Sequence, residues 1–458
     1  MTGKITAAQI EEWIKKQKSS FLADYKKLVE CPSVSMQPEH KKDIEECAKI
    51  AAEYLRTAGA EVTVFKTKGN PVVFGHIENK PGAPTVAIYN HLDVQPAAKG
   101  KDGWTRDPFT FVEENGRFYS RGTTDDKGPA MTALWGAKIA RELKLPINIE
   151  FIWELSEEIG CLNFDEFIEQ AKSGIKANSI LVSDTIWLAA GKPAISQGLR
   201  GIATGVVRLK VGGKDVHSGV CGGAARNPVT ELCELVANCV DARTGEIKIP
   251  GFEKTWKPPT KEEVADFVAS GFSVDSFKKA NQLEKLRTED PGEVTARIWA
   301  RPTFEAHSIA GGYQGDGVKT VIAPAAELKV SFRLVPGQKP KEIWDLFERH
   351  VKKLNPDCEI KAEGTMDPHL APKELPQNEA IMKAIEFAFG TKPVFVREGG
   401  SIGAVVTMER MLKRPVLFMG LSLPEDGYHG PDESFAWGQI EGGVKAFVKY
   451  FEQLATKG

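Results

Sequence analysis

The hydrophobic and polar positions follow helical and strand periods in turn along the first part of the chain. Apolar residues recur at three- to four-residue spacing over 7–30 and 39–59, which predicts two amphipathic helices, and a third helix starts near Lys127. Short apolar runs predict strands at 61–65, 71–77, 84–94, 147–154 and 179–184. Continuously apolar strands that alternate with helices indicate a mostly parallel, doubly wound α/β sheet covered on both faces.

The pattern changes near residue 204, where the strands become half polar. Alternating strands are predicted at 203–213, 326–335 and 357–364, and helices at 226–241 and 339–354. One exposed and one packed sheet face are typical of a small α+β unit. The stretch 243–320 is rich in Lys, Glu, Pro and Gly and gives no assignable pattern.

The doubly wound pattern resumes after a Pro-rich bridge at 367–377. It continues with a helix at 378–389, two strands and a final helix at 437–455. The simplest architecture is therefore an α/β domain interrupted by an inserted α+β domain. The predicted division is 1–203 and 371–458 for the α/β domain and 204–370 for the insert.

Composition and charge exclude several classes of partner. Lys and Arg (60) nearly balance Asp and Glu (62), so no long-range field attracts nucleic acid or an anionic membrane, and neither is predicted as a partner. The seven cysteines are odd in number and contain no CxxC pair, which argues against a disulfide framework. No stretch approaches the roughly 18 apolar residues of a membrane-spanning helix, and the polar, helical N-terminal pattern has no apolar signal core. A cytoplasmic location is expected.

Ligand-type side chains follow several of the predicted strands. In an open α/β sheet such residues meet at the carboxyl ends of the strands, where ligands bind. Each has a simpler explanation when it is taken alone, such as a helix N-cap for an acidic pair or a surface loop for a lone His. Their coincidence at one edge favours a site instead. The residues are His91, Asp93, Asp125, Asp126, Glu157, Glu158, Asp184 and His429.

Imidazole and carboxylate ligands without cysteine suit Zn²⁺ or Mn²⁺ better than Ca²⁺ or Mg²⁺. Of His91 and Asp93, one can bind a metal ion while the other supports it by a hydrogen bond. Glu157 and Glu158 are adjacent and point apart, so one can bind a metal ion while the other acts as a base. Water held between two cations would become hydroxide near neutral pH.

A set of segments along nearly the whole chain resembles the M20 metallopeptidases, most closely the cytosolic non-specific dipeptidase and carnosinase branch. The resemblance implies a catalytic domain interrupted by a lid domain through which two chains dimerise. The segments are YNHLDVQPA (89–97), DGWTRDPFTF (102–111), YSRGTTDDKGP (119–129), ELSEEIG (154–160), LVSDTIW (181–187), GLRGI (198–202), KDVHSGVCGG (214–223), FRLVP (332–336), REGGSI (397–402) and DGYHGPDE (426–433).

The resemblance implies two divalent metal ions in each subunit. His91 and Asp184 would hold one ion and Glu158 and His429 the other, with Asp125 as the bridge between them. Zn²⁺ is the expected metal and Mn²⁺ the alternative.

The resemblance also implies roles for residues around the metal ions. Asp93 would orient His91, and Glu157 would be the general base and acid. His217 of the HSG motif would reach the active site of the neighbouring subunit and stabilise the oxyanion.

A further group of residues would contact the substrate. By the same resemblance the guanidinium of Arg333 binds the terminal carboxylate of the substrate. Ser401 and Gly400 would contact the same end, with Thr320 as an additional candidate.

Three functions are weighed. The first is hydrolysis of dipeptides or short peptides by a metal-bridging hydroxide, with Glu157 as base and acid. The second is an M20 amidase or carboxypeptidase that acts on N-acyl or other amino acid conjugates. The third, a non-catalytic dimeric metal-binding protein, is disfavoured because Glu157 and Asp93 are both present. The expected partners are a short peptide with a free terminal carboxylate and a second copy of the chain.

Overall fold

The computed structural model describes residues 5–100 and 102–457. Every helix and strand predicted before residue 200 is present, with ends shifted by a few residues. The hairpin at 112–119 and the strand at 194–199 were not predicted. The elements are α1 (Ala7–Val29), α2 (Lys41–Thr57), α3 (Lys127–Glu142) and α4 (Phe164–Ala171), with β1 (Glu61–Phe65), β2 (Val72–Ile77), β3 (Thr85–His91), β4 (Val112–Glu114), β5 (Arg117–Tyr119), β6 (Asn148–Glu154), β7 (Ser179–Val182) and β8 (Ala194–Leu199).

The remaining elements also follow the predicted pattern where one was given. The middle of the chain contains α5 (Ser218–Cys221), α6 (Pro228–Cys239), α7 (Lys261–Ala269), α8 (Val274–Ala280), α9 (Pro291–Thr295) and α10 (Pro340–Leu354), with β9 (Gly201–Lys210), β10 (Val216–His217), β11 (Thr303–Gly311), β12 (Val321–Ile322), β13 (Ala325–Leu334) and β14 (Glu359–Met366). The last part contains α11 (Pro376–Phe389), α12 (Gly403–Leu412) and α13 (Trp437–Lys457), with β15 (His369–Leu370), β16 (Val394–Glu398), β17 (Val416–Phe418) and β18 (Ser434–Ala436).

A six-stranded sheet in the order β1-β2-β6-β3-β7-β17 forms the centre of the α/β part. The strands β6, β3, β7 and β17 are parallel, whereas β1 and β2 are added at one edge by antiparallel pairing of β2 with β6 and of β1 with β2. Successive side chains of β3 enter opposite cores: Val86 and Ile88 pack with residues of α1, α3 and α13, and Ala87 and Tyr89 with residues of α4 and α12. The predicted doubly wound α/β class is therefore confirmed.

The insert is built on a four-stranded antiparallel sheet in the order β11-β13-β9-β14. Alternate residues of β9 are buried, and they pack with α6 and α10 in a separate core. A side chain at Gly205 would overlap the ring of Trp344, so glycine there allows α10 to lie close to β9. The predicted α+β insert is confirmed by this sheet and its helices.

The stretch that carried no sequence pattern holds the helices α7, α8 and α9. Phe267 and Trp299 pack against Ala194 of β8 and Val396 of β16, and not against the sheet of the insert. The strands β8 and β16 belong to a separate sheet in the order β15-β8-β16. Phe267 and Trp299 of this stretch therefore lie against strands outside the insert, whereas β11 belongs to the sheet of the insert. The predicted limits of the three segments stay a prediction. Among the described residues, no helix is long and apolar enough to cross a membrane.

Candidate metal centre

The first group of ligand-type side chains forms at the carboxyl ends of β3 and β7. His91, the last residue of β3, is buried, and its Nε2 lies 2.8 Å from Oδ1 of Asp125 and 3.9 Å from Oδ2 of Asp184. One ligand atom from each of the three residues lies within 4.8 Å of the others. This spacing allows all three residues to contact one cation.

A second group adjoins the first and shares Asp125 with it. The Nε2 atom of His429 lies 3.0 Å from Oδ2 of Asp125 and 3.1 Å from Oε2 of Glu158. The three ligand atoms again lie within 4.8 Å of one another. Because Oδ1 of Asp125 faces the first group and Oδ2 the second, this carboxylate is placed to serve two cations. The side-chain amide of Gln95 donates to Oε2 of Glu158 at 2.7 Å.

The chemistry of these residues fits metal ions. Two imidazole nitrogens and three carboxylates, with no cysteine, are ligands that Zn²⁺ and Mn²⁺ accept. Among the described residues, Oδ2 of Asp125 is buried and accepts no hydrogen bond. The His429 ring is close enough to form an ion pair with this oxygen, but the contact lacks hydrogen-bond geometry. A buried carboxylate oxygen without a donor is costly, and a cation would satisfy it.

The charges at the site perturb one another. Burial raises the pKa of Asp184 to about 7. Burial alone would lower the pKa of His429, but the close carboxylates of Asp125 and Glu158 outweigh burial and raise that pKa to about 11. Burial would raise the pKa of Asp125, yet the two histidines hold it below its usual range. These carboxylates and imidazoles are therefore close enough to perturb one another's protonation.

Asp93 lies behind both groups and holds two segments together. Its carboxylate is fully buried and accepts the backbone N–H groups of Glu157 and Glu158, each at 3.1 Å. The Nδ1 atom of His91 is 3.0 Å from the main-chain oxygen of Asp93 and 3.5 Å from its Oδ1. The backbone carbonyl, rather than the carboxylate expected from the sequence, is thus the nearer partner of the ring.

The adjacent glutamates have different surroundings. Glu158 contacts His429, whereas the carboxyl group of Glu157 makes no hydrogen bond or ion pair with any other described residue. Burial raises the pKa of Glu157 well above its usual value, although the nearby His91 opposes that shift. A carboxyl group with a raised pKa and free oxygens beside a candidate metal centre is suited to proton transfer.

Asp126 stands apart from both ligand groups. Its Oδ2 accepts the side-chain amide of Asn90 at 2.8 Å and the backbone N–H of His91 at 3.3 Å. The peptide bond between Asp125 and Asp126 is cis. Asp126 therefore supports the backbone at the end of β3, while Asp125 faces the candidate cation positions.

A second polar cluster contains three of the residues expected to bind substrate. Nη1 of Arg333 donates to Oγ of Ser401 at 3.1 Å, and the Ser401 hydroxyl donates to the carbonyl of Arg200. The guanidinium of Arg200 donates to the carbonyl of Gly399 at 3.2 Å. A side chain at Gly400 would meet no atom within 4 Å, so the backbone there is open.

The two arginines of this cluster lack a negative partner. In the described part of the chain, no carboxylate lies within 4 Å of either guanidinium. Burial lowers the pKa of Arg333, and burial followed by the charge of Arg333 lowers that of Arg200 to about 10. Two partly buried cations without a counter-ion attract an anion.

His217 and Thr320 lie beside each other on the insert. His217 is exposed at the end of β10, and its Nδ1 accepts the backbone N–H of Gly219 at 3.0 Å. The backbone N–H of Ser218 donates to the carbonyl of Thr320 at 3.0 Å. Within the described part of one chain, no hydrogen bond or ion pair joins either residue to the two ligand groups.

Sequence reasoning missed four residues around these clusters: Gln95, Arg200, Tyr428 and Glu433. The Tyr428 hydroxyl donates to Oδ1 of Asp184. Glu433 is fully buried and accepts N–H groups from the segment that ends at Asp125. The sequence offered one indication of these residues: all four lie in segments that carry the family resemblance.

Comparisons with known proteins agree with this geometry. Residues 87–453 match the family described as peptidase family M20/M25/M40. The chain is 32% identical to the Cys-Gly metallodipeptidase dug1 of Schizosaccharomyces pombe, over 99% of each chain. It superimposes on the crystal structure of human carnosine dipeptidase 1 with a TM-score of 0.87 and 29% identity, covering 99% of each chain.

A third relative carries a different activity in its name. The M20 family metallo-carboxypeptidase Sso-CP2 of Sulfolobus solfataricus superimposes with a TM-score of 0.88 and 28% identity, covering 95% of this chain and 99% of that one. The family match spans most of the chain, the named relatives span nearly all of it, and two ligand groups lie where the strands end. The predicted resemblance is confirmed: the chain is a metallopeptidase and belongs to peptidase family M20/M25/M40.

Proposed function

We propose that the chain hydrolyses dipeptides or short peptides that have a free terminal carboxylate. The observation that carries the proposal is the position of Asp125, whose two oxygens face two adjacent ligand groups. The names of the relatives, a metallodipeptidase and a carnosine dipeptidase, support a dipeptide substrate. The arginine cluster supports a substrate with a carboxylate at one end.

Five residues would hold two divalent cations, for which Zn²⁺ is the expected metal and Mn²⁺ the alternative. Cations bound there would polarise the scissile carbonyl and make water acidic enough to ionise near neutral pH. The five residues are His91, Asp125, Glu158, Asp184 and His429.

Glu157 carries the proton in this proposal. Its carboxylate takes the proton from the attacking water and later delivers it to the leaving amine. The free oxygens of Glu157 suit this task, because no other described residue occupies them. Asp93 fixes the backbone of Glu157 and Glu158, and thereby the separation between proton carrier and ligand.

The substrate carboxylate would bind at the arginine cluster. The planar guanidinium of Arg333 forms two parallel hydrogen bonds with a carboxylate, and Ser401 orients the guanidinium. The open backbone at Gly400 leaves room for the end of the peptide.

The site would be completed by a second copy of the chain. His217 is exposed on the insert and would stabilise the oxyanion in the partner's site, with Thr320 beside it. The proposed dimer forms through the lid, which we assign to 204–370, with 1–203 and 371–458 as the catalytic domain. The free cysteines fit a reducing, cytoplasmic compartment.

A substrate panel tests this function. Protein loaded with Zn²⁺ or Mn²⁺ would be assayed on free dipeptides, the same dipeptides with an amidated C-terminus, tripeptides and N-acetyl amino acids. We expect turnover of free dipeptides and a large loss on amidation, because Arg333 would then lack its partner. Turnover of N-acetyl amino acids without turnover of dipeptides would refute a dipeptidase.

The second candidate is a carboxypeptidase or an amidase that acts on N-acyl or other amino acid conjugates. The similarity to the metallo-carboxypeptidase of Sulfolobus solfataricus favours keeping it. The metal centre would serve both reactions, so the preferred length and the blocked or free amino end of the substrate distinguish them. Efficient release of the C-terminal residue from longer or N-blocked peptides would support this candidate.

A further inference from the structure

The loop that carries His429 is joined to the segment that carries Asp125. The loop contributes carboxylates, and the segment of Asp125 and its neighbours contributes backbone and side-chain hydrogen-bond donors. Two of the carboxylates, Asp426 and Glu433, flank His429 in sequence and are fully buried. The two segments therefore hold each other in position independently of any cation.

Glu433 makes the densest set of these bonds. Its Oε1 accepts the backbone N–H groups of Thr124 at 2.8 Å and Asp125 at 3.0 Å. Its Oε2 accepts the backbone N–H of Gly122 at 2.9 Å and Nη1 of Arg121 at 2.9 Å. Four donors thus occupy both oxygens, which leaves Glu433 unable to act as a metal ligand or a base.

Asp426 fixes the other end of the loop. Its Oδ1 accepts Nη1 of Arg117 at 2.6 Å, and its Oδ2 accepts the hydroxyl of Thr124 at 3.2 Å and the backbone N–H of Leu423 at 2.8 Å. His429 therefore lies between two anchored points. Of the two carboxylates, Glu433 alone bonds directly to the backbone of Asp125.

We propose that Glu433 is a positioning residue for the metal centre: it fixes the backbone of the shared ligand Asp125 and joins it to the loop of His429. Because Asp125 belongs to both ligand groups, a displacement of its backbone alters both at once. Substitution of Glu433 should therefore weaken the binding of both cations together. The proposal rests on the metal assignment made above.

Co²⁺ titration of the metal-free full-length protein tests the role of Glu433, with absorbance and calorimetry as readouts. In Glu433→Gln an amide nitrogen faces two N–H donors, so the bonds to one side of the carboxylate are lost. We expect Co²⁺ affinity about 10- to 100-fold weaker at both sites, the usual effect of losing a partner that orients ligands. The visible bands of bound Co²⁺ should shift, and excess metal should restore much of the turnover.

Asp432→Asn is the matched control. Asp432 is the preceding residue of the same loop, and its carboxylate accepts the backbone N–H groups of Thr105 at 3.1 Å and Arg106 at 3.3 Å. It bonds to no residue of the segment that ends at Asp125 among those described. We expect Asp432→Asn to change Co²⁺ affinity by less than about threefold, below the 10- to 100-fold effect of an orienting partner.

Three results would overturn the proposal. They are unchanged Co²⁺ affinity in Glu433→Gln despite a lowered melting temperature, weakening of only one of the two sites, and an equal effect in Asp432→Asn. If Glu433→Gln does not fold, Glu433→Asp provides the test, because it keeps the charge but shortens the reach to the donors. Weaker Co²⁺ binding at both sites in Glu433→Asp would support the proposal, and unchanged binding would refute it. Wild-type protein that binds no Co²⁺ would refute the metal assignment and this proposal together, whereas an unexpected substrate preference would affect only the proposed function.

Discussion

Asp93→Asn is the substitution that most directly separates the alignment of catalytic groups from fold stability. The Asp93 carboxylate accepts the backbone N–H groups of Glu157 and Glu158 at 3.1 Å each, and its Oδ1 lies 3.5 Å from Nδ1 of His91. An asparagine of nearly the same shape offers one acceptor oxygen and one donor nitrogen. One of the two backbone N–H groups must then face an amide N–H.

The cost follows from burial. Asp93 has no exposed surface, so a donor left without an acceptor there costs about 1–3 kcal/mol. The displaced backbone carries both the proposed base and a proposed ligand. We therefore expect kcat/KM to fall by about 10- to 100-fold, the range found when a residue that orients metal ligands is changed.

Glu150→Gln is the matched control within the same sheet. Glu150 is fully buried on β6, accepts the backbone N–H groups of Lys176 at 2.9 Å and Ala177 at 3.1 Å, and lies 3.2 Å from Nδ1 of His76. The bonding pattern matches that of Asp93, but Glu150 lies four residues before the end of β6, roughly 13 Å from it along the strand. The Glu150→Gln variant should lose a similar amount of stability and keep the kcat/KM of the wild type.

Steady-state kinetics and denaturant unfolding of both variants, each saturated with metal, provide the test. Loss of activity in Asp93→Asn alone, with similar stability losses in both variants, is expected. Wild-type kcat/KM in Asp93→Asn would show that the bonds to Glu157 and Glu158 do not position these groups for catalysis. An equal loss of activity in Glu150→Gln would assign the effect to general destabilisation.

Three further predictions follow from the geometry. Mixed dimers of His217→Ala and Glu157→Ala chains should regain part of the activity that each variant lacks alone, and no regain in subunit-exchange assays would contradict a shared site. Metal binding at pH 7 should release protons, because the pKa of His429 is raised to about 11 and that of Asp184 to about 7 in the metal-free protein; the affinity for metal should then fall about tenfold for each unit by which the pH is lowered, per proton released. Calorimetry in buffers of different ionisation enthalpy that finds no proton release would contradict this prediction. Arg333→Met should lower kcat/KM for free dipeptides by about 10- to 150-fold, the equivalent of a charged hydrogen bond worth about 1.5–3 kcal/mol, with little effect on amidated dipeptides, and equal losses on both would argue against a carboxylate subsite.

The sequence was most informative where one physical pattern dominates. The short, mostly apolar runs of β3 and β6 are rich in β-branched and aromatic residues, which indicates buried strands, and their bounds differ from the predicted ones by at most a few residues. The strand ends then brought His91 and Asp184 together as predicted, because parallel strands end at one edge.

Other features depend on contacts that no local pattern encodes. The helices α7, α8 and α9 are short, and Phe267 of α7, together with Trp299 just after α9, contacts strands distant in sequence. Glu433 reads as one more acidic residue of a polar loop. Only the folded chain brings its carboxylate to the N–H groups of Gly122, Thr124 and Asp125.

The distinct roles of two neighbouring carboxylates are the centre of the proposed mechanism, and Glu157→Gln tests them most directly. Metal content and kcat of this variant would be measured together on the same preparation. We expect two metal ions per chain, as in the wild type, and a kcat lowered by about 10²- to 10⁴-fold, the usual contribution of a general base. Wild-type turnover, or loss of the metal ions along with activity, would contradict the assignment of Glu157 as the base and Glu158 as the ligand.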